Sequence, residues 1–581
     1  MENREIAILL SETGDLMEIA AEDGFRIRSY RNAAGVIEGY PERLEEICAD
    51  PARKLTDIPG IGKGIAAVVA EILKRGSFDK RDELLEKFPP TALELLKIQG
   101  LGPKSIALLI QQFGIATVDD LERLCREQKL RTLPRMGAKL EEKVLRSIEQ
   151  YRSSTGRYLL PHAQSIAEEL TQYLLTTPGV ERVTVAGSLR RGRETVGDLD
   201  LLVSGPNAAE ALQKFTTFSK VQQVLGNGPN KASATVGLER IQVDVRAVPV
   251  ASYGAAMQYF TGSKDHNVQL RQRALRLGLT LNEYGLFRLE GGERVAGDDE
   301  AGIYQALGLP WIPPELRENG GELEAAEEGT LPELIGAGQI RGDLHMHTRE
   351  TDGRATLEEM AAACRELGYE YLAITDHSKA LAMANGLDEA RAIAFARQVH
   401  GLNSEQTLGI RVYAGIECDI LRDGTMDLAA DALAELDWVI GSIHSHMNLE
   451  ASEMTDRLLR CIESPWLRAL GHLTGRMLLH RDGYPFDFDK VAAAASARGV
   501  LLEINASPER LDIYGPLLRT AKAKGCRFVI NTDAHHPRHL RNMPYGLLTA
   551  RRGWLTARDV VNTMPLGEFD SWLKGNLNRN G

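Results

Sequence analysis

The sequence predicts a multidomain chain: an all-α amino-terminal region, an α/β core with a mixed sheet, and a distorted parallel (β/α)7 barrel at the carboxyl end. Three observations carry this reading. Short amphipathic helices joined by glycine turns fill the first 150 residues, β-type runs begin near residue 158, and after 340 short apolar runs alternate with helical segments seven times. At roughly 150 residues per domain, 581 residues leave room for about four domains. The expected division is 1–157, 158–317, a linker at 318–340, and 341–581.

Hydrophobic residues make up 43% and charged residues 26%, which excludes wholesale disorder, collagen and coiled coil. No apolar run reaches the roughly 20 residues of a membrane span, and the opening residues lack a signal peptide's basic start and cleavage site. Six cysteines without a CxxC pair suit a reducing compartment, so a cytoplasmic, nucleoid-associated protein with no membrane partner is expected. The net charge of −12 argues at first against a nucleic-acid partner. The segments correct that: 1–157 carries 25 basic and 26 acidic side chains, 158–317 carries 16 and 17, and 318–581 carries 28 and 38. Ten of the twelve excess negatives therefore lie in the last segment, either as a solvated face or as carboxylates gathered around cations.

In the helical region a turn repeats. Ile58-Pro59-Gly60-Ile61-Gly62 opens a helix, Ile98-Gln99-Gly100-Leu101-Gly102 does the same 40 residues later, and Leu133-Pro134-Arg135-Met136-Gly137 is an eroded third copy. Such turns have the helix-hairpin-helix signature: glycines permit close backbone approach, and the helix start directs free N–H groups at a phosphate without reading sequence. Gly60, Gly62, Gly100 and Gly102 are the candidate DNA contacts.

In the core, Gly187-Ser188-Leu189-Arg190-Arg191-Gly192 precedes Gly197-Asp198-Leu199-Asp200. Aspartates at i and i+2 on a strand share a face, and Asp244 in Ile241-Gln242-Val243-Asp244-Val245 can join them from a neighbouring strand. Three carboxylates able to hold two Mg²⁺ suit in-line nucleotidyl transfer, with Ser188, Arg191 and backbone N–H groups facing the phosphates. These residues resemble the family X DNA polymerases of the DNA polymerase β type, which have the nucleotidyltransferase fold. The match continues through Tyr259-Phe260-Thr261-Gly262-Ser263, Asn267, Arg271 and Asn282-Glu283-Tyr284. The resemblance implies a nucleotide pocket with Gly187, Gly197, Tyr259, Phe260, Gly262 and Asn267, a triphosphate contact from Arg157, and a template contact from Arg271. Lys264 departs from the vertebrate repair enzyme, which has aspartate there. The lyase nucleophile of that enzyme falls on Val68, which cannot form an imine, so the lyase is not implied.

In the last segment, histidines and carboxylates sit where the apolar runs end. Eleven of the thirteen histidines fall in 340–540, and the ligand candidates are His345, His347, Asp352, His377, Glu417, His444, His472, Asp533 and His535. Polar groups at strand carboxyl ends mark the active face of a parallel barrel. Imidazole with carboxylate and no thiolate suits Zn, Mn or Fe, and nine such groups exceed one ion's need, so two or three ions, Mn²⁺ or Zn²⁺, are expected. His400 and His480 lie away from strand ends, whereas His446, Glu503, His536 and His539 are unassigned neighbours. The pattern Asp343-Leu344-His345-Met346-His347, Thr375-Asp376-His377, Gly415-Ile416-Glu417, Ser442-Ile443-His444, Gly471-His472 and Thr532-Asp533-Ala534-His535 resembles the PHP (polymerase and histidinol phosphatase) family. That resemblance implies a phosphoesterase with a trinuclear metal centre.

Together these readings predict a DNA-directed DNA polymerase that fills short gaps in repair, with a Mn-dependent 3′–5′ exonuclease or 3′-end phosphoesterase in the barrel. The expected partners are gapped or primed double-stranded DNA and deoxynucleoside triphosphates, and the expected state is a monomer. The rival is a non-templated nucleotidyltransferase fused to a small-molecule phosphoesterase.

Overall fold

The computed structural model describes all residues except 2, 39, 41, 51–52, 89–90, 99, 134–135, 155 and 581; the side chains of 4, 150, 153–154 and 576–580 are likewise not described. The chain forms two compact units, Met1–Thr155 and Gly156–Gly581.

The first unit is helical. The helices expected from apolar spacing are present as Lys63–Arg75, Asp79–Lys87, Ala92–Leu96, Pro103–Phe113 and Ala138–Ser154, and Asn3–Ile19 and Gly24–Glu38 precede them. Its apolar residues gather in two cores, one around Leu10, Ile37 and Val69 and another around Leu95, Ile106 and Leu121. The first core lies under the first glycine turn and the second under the other two. Ile58 and Ile61 are buried beneath the first, Ile98 and Leu101 beneath the second, and Met136 beneath the third. Gln99 of the second copy and Pro134 and Arg135 of the third lie outside the described residues.

The second unit begins with a five-stranded mixed sheet in the order 182–185, 198–204, 241–248, 231–236, 221–227. Strand Asp198–Ser204 runs parallel to Ile241–Val248, and the other pairs are antiparallel. The hairpin formed by Val221–Asn227 and Lys231–Val236 was not among the expected β runs, because its outer strand is almost wholly exposed and lacks an apolar face.

The barrel has seven parallel strands in sequence order, Gly342–Asp343, Tyr371–Ile374, Arg411–Asp419, Trp438–Ser442, Ala469–Leu470, Leu501–Asn505 and Phe528–Asn531. The first and last ends meet through a Met346–Ala534 bridge, in which His347 N donates to Ala534 O at 2.8 Å. Asn531 Oδ1 accepts Leu344 N at 3.0 Å beside it, so the ring is nearly closed. Every strand is fully buried or nearly so, as a parallel sheet covered by helices requires.

The 318–340 segment, expected as a linker, carries the helix Glu322–Glu327 and then runs without regular structure through 330–336; Glu322, in that helix, and Arg317, just before the segment, are buried. The reason is tertiary. Arg317 Nη1 donates to Glu300 at 2.6 Å, and Glu322 Oε1 lies 2.7 Å from His266 Nδ1. Sheet region and barrel also share apolar surface, since Leu511 of the barrel is fully buried in the core of the sheet domain.

Candidate active sites

The first site grows from one register relationship. Asp200 stands opposite Asp244 across the two parallel strands, and Asp198, two residues earlier, shares its face. The turn before them is held against the strand: Ala186 N donates to Asp200 O at 2.8 Å, and Gly187 sits so close that a Cβ would meet Asp200 Oδ2 at 2.9 Å. With φ +63, that position favours glycine twice over. A cleft of about 360 Å³ opens alongside, lined by Gly187, Ser188, Arg191, Asp198 and Asp200 from one wall and by Tyr259, Phe260, Gly262, Lys264, Asn267 and Arg271 from the other. The Tyr259 and Phe260 rings meet edge to face at 5.1 Å. Asn267 Nδ2 donates to the Tyr259 carbonyl at 2.7 Å, fixing the helix end that carries both rings.

Electrostatics separate the carboxylates. Burial, then Asp198 beside it, pushes the Asp200 carboxyl up to about 6. Asp244 is also buried, but Lys231 Nζ at 2.6 Å outweighs that and holds it below the usual range. Arg246 lies 4.0 Å from Asp200, 3.5 Å from Asp244 and over the Phe260 ring. The charge crowding at Asp198 and Asp200 is what bound cations relieve, so the donor set fits divalent ions.

Sequence reasoning missed Lys231 and Arg246. Lys231 is placed by strand pairing, opposite Arg246, and Arg246 shares the face of Asp244 two residues along the same strand. Arg157 is not brought into the cleft: its guanidinium donates to Thr195 Oγ1 at 2.8 Å and to the Thr195 carbonyl at 2.6 Å. Gly197 also stands outside the lining, within 4 Å of that guanidinium from the position of a Cβ.

The second site lies at the carboxyl ends of the barrel strands, where the nine candidate ligands gather, with five of the histidines directly around Glu417. Its Oε2 is 2.9 Å from His377 Nδ1, 3.5 Å from His345 Nε2 and 3.6 Å from His347 Nε2. Its Oε1 is 2.9 Å from His472 Nε2 and 3.4 Å from His444 Nε2. Asp533 Oδ1 lies 3.1 Å from His347 Nε2, and Asp352 lies 3.4 Å from His377 and 3.5 Å from His535. Three sets of side chains close enough to hold an ion each result: His347, Asp352, His377 and His535; His345, His347 and Asp533; His377, Glu417 and His444. Buried atoms left without a hydrogen-bond partner include His345 Nε2, His347 Nδ1, His444 Nδ1 and Glu417 Oε2, and such groups are ordinarily satisfied. Cations fit this donor set. His472 and Asp533 carry their side chains inward from left-handed backbone, at φ +25 and +53.

Charge is divided within the cluster: burial would lower His377 and His444, but the neighbouring carboxylates outweigh it and raise them to about 10 and about 9, and a bound cation would displace those protons. Burial would raise Glu417, but His444, His345 and His377 hold it well below the carboxylate range. Burial together with His535 and His377 pushes His347 down to about 3, so its imidazole is neutral at pH 7 as a ligand must be. Behind the ligands stand carboxylates whose roles the sequence did not give. Glu503 Oε1 lies 2.6 Å from His345 Nδ1, and Glu503 Oε2 accepts His472 N at 2.8 Å. Asp376 accepts Thr348 N at 2.8 Å and fixes the loop bearing Asp352. Carboxylates in this position orient ligand histidines. His446 is exposed, His400 pairs with Asp437 at 3.0 Å on the outside, and His539 Nδ1 accepts His535 N at 3.3 Å.

A mixed sheet presenting three aspartates, followed by a seven-stranded barrel presenting histidines, defines a nucleotidyltransferase core joined to a PHP-type barrel. Family comparisons agree along the chain. Residues 1–78 match a helix-hairpin-helix domain, 92–150 a SAM-like helix-hairpin-helix tandem, 256–318 the DNA polymerase beta thumb, and 343–507 the PHP domain. The chain is 36% identical over 577 residues to the DNA polymerase/3'-5' exonuclease PolX of Bacillus subtilis (strain 168), covering 99% of this chain and 100% of that protein. It is 26% identical over 347 residues to DNA polymerase lambda of Arabidopsis thaliana, covering 54% of this chain and 62% of that one. It is 26% identical over 333 residues to DNA polymerase lambda of Rattus norvegicus, covering 51% and 53%. The chain belongs to the family X DNA polymerases that carry helix-hairpin-helix domains and a carboxyl-terminal PHP domain.

Proposed function

We propose that this chain is a DNA polymerase that fills short gaps in duplex DNA and trims 3′ ends with its PHP barrel. The single observation that carries the reading is the co-occurrence, in one chain related end to end to a polymerase/exonuclease, of an Asp200–Asp244 pair beside a nucleotide-sized cleft and a histidine–carboxylate cluster around Glu417.

Asp198, Asp200 and Asp244 would hold Mg²⁺, and the barrel cluster would hold two or three Mn²⁺ or Zn²⁺, because histidine-rich sets favour the borderline metals. When bound, such ions lower the pKa of an attacking hydroxyl or water and neutralise the phosphates being displaced. The chain's own residues then supply position. Ser188 and Arg191 face the triphosphate, Tyr259 and Phe260 wall the sugar and base, and Arg271 reaches toward the template strand. Arg246 holds Phe260 by a guanidinium–ring contact of 4.4 Å and adds to Lys231 in keeping Asp244 ionised. In the barrel, Glu503 fixes the His345 ring so that its Nε2 faces Glu417 and Asp533. Gly60, Gly62, Gly100 and Gly102 of the two hairpins place duplex phosphates without reading sequence.

The test presents wild-type chain with a gapped duplex carrying a labelled primer, and separately with a small phosphomonoester, under Mg²⁺ and under Mn²⁺. Template-directed extension with Mg²⁺ and 3′ trimming with Mn²⁺ are expected. Untemplated addition, with hydrolysis of the monoester and no trimming, would transfer the assignment to a small-molecule enzyme.

A further inference from the structure

Arg191 lines the polymerase cleft beside Asp198 and Asp200, yet the barrel holds it in place. Its Nη1 donates to the Thr261 carbonyl, and its Nε donates to Glu318 Oε1 at 3.0 Å. The same Glu318 oxygen accepts Arg552 Nη1 at 3.0 Å, and Arg552 Nη1 also donates to the main-chain carbonyl of Arg191 at 3.0 Å. Arg552 ends the barrel helix Met543–Arg552, with its side chain 7% exposed. One turn earlier on that helix, Leu548 packs under Gly192, 3.2 Å from where a Cβ would stand. A residue 361 positions away thus grips both the backbone of the phosphate-facing turn and the counter-ion of its arginine.

We propose that Arg552 is a positioning residue for the polymerase reaction, setting through Glu318 and the Arg191 carbonyl how the Arg191 guanidinium is presented to a nucleoside triphosphate. The proposal rests on the reading of Arg191 as a triphosphate contact. Glu318 is shared: Arg193 lies 3.5 Å from its other oxygen, and burial opposed by Arg191 and Arg552 leaves it ionised, below its ordinary range. With Arg552 in place, that one negative charge is divided among three guanidinium groups. Without it, Glu318 holds Arg191 more strongly, and the freed carbonyl lets the turn drift by the fraction of an ångström that costs a preorganised site its affinity. Such a link makes a barrel residue part of nucleotide selection while it touches neither substrate nor metal.

The experiment is steady-state gap filling by the full chain with the nucleotide concentration varied, comparing wild type with Arg552→Ala, Arg552→Lys, Arg191→Ala and the Arg552→Ala/Arg191→Ala double variant. Arg552→Ala is expected to raise the nucleotide KM about tenfold, the size of one charge-assisted hydrogen bond. Its kcat should stay within about twofold, the signature of lost binding rather than lost chemistry. Arg552→Lys should recover most of the loss, since one charged donor reaches both oxygens, and the double variant should be no worse than Arg191→Ala alone. If Arg191→Ala raises KM while Arg552→Ala does not, or if the two effects multiply, the coupling is overturned. A fall in kcat and unfolding temperature with KM unchanged would reduce Arg552 to a packing role. If Arg191→Ala leaves KM unchanged, the reading of Arg191 fails and the proposal falls with it.

Discussion

Glu417 Oε1 lies 2.9 Å from His472 Nε2, on the opposite carboxylate oxygen from His377, so one side chain joins histidines from different sides of the barrel mouth. Removing its charge should therefore empty more than one cation position. Glu417→Gln is expected to lower the Mn²⁺ or Zn²⁺ retained per chain by at least one equivalent and to bring 3′ trimming to background. Elemental analysis after dialysis checks this. Unchanged metal content with unchanged trimming would remove Glu417 from the centre.

The glycine turns offer a cleaner contrast than the sequence alone allowed. Gly60 has φ +93 and a Cβ there would meet Val36 at 2.9 Å, whereas Gly62 has φ −77 and nothing within 4 Å. Gly60→Val should destabilise the amino-terminal unit by about 1–3 kcal/mol through backbone strain. Gly62→Val should leave stability alone and weaken gapped-duplex binding about fivefold, one phosphate hydrogen bond, equally across sequences. Thermal unfolding and a binding titration at fixed salt separate the two. Full affinity in Gly62→Val would make the hairpin a plain helix turn.

Glu300, its side chain 10% exposed, takes both terminal guanidinium nitrogens of Arg190 at 2.9 Å and Arg317 Nη1 at 2.6 Å. Burial raises its carboxyl, but the two arginines prevail and hold it at about 2 against an ordinary 4.5. A depressed carboxylate stabilises the fold fully above the unfolded value, and that contribution, roughly 3 kcal/mol, drains away as pH falls from about 4.5 toward 2. Glu300→Gln should thus be less stable than wild type at pH 7, with the gap narrowing at about pH 3. Urea midpoints at both pH values test it, and an equal gap at each would contradict the ion-pair account.

The barrel ligands were legible because parallel strands are apolar runs, and a histidine or carboxylate just past such a run has one place to go, the mouth. Asp198 and Asp200 were legible through the two-residue alternation of a strand. Lys231 was not, because it meets Asp244 only through pairing with a strand whose outer neighbour has no apolar face; Arg246, two residues after Asp244 on one strand, was open to the same alternation and was overlooked. Asp343 was recognised as part of a motif, but its hold on Thr532 joins residues 189 apart and depends on barrel closure. The helix within 318–340 was hidden for the same reason: proline, glycine and glutamate suggest extension until Glu322 finds His266 and Arg317 finds Glu300. Arg157 was placed by spacing alone; its guanidinium is held on Thr195, within the field of Asp198.

The central claim is that two independent metal-dependent sites share this chain, and one gel tests it. A gapped duplex with a 5′-labelled primer is incubated with wild type, Asp200→Asn, His345→Ala/His347→Ala and the combined variant, with nucleotides and both Mg²⁺ and Mn²⁺ present. Asp200→Asn should only shorten the primer, His345→Ala/His347→Ala should only lengthen it, and the combined protein should do neither. Lengthening by Asp200→Asn, or shortening by His345→Ala/His347→Ala, would contradict the assignment of the site concerned.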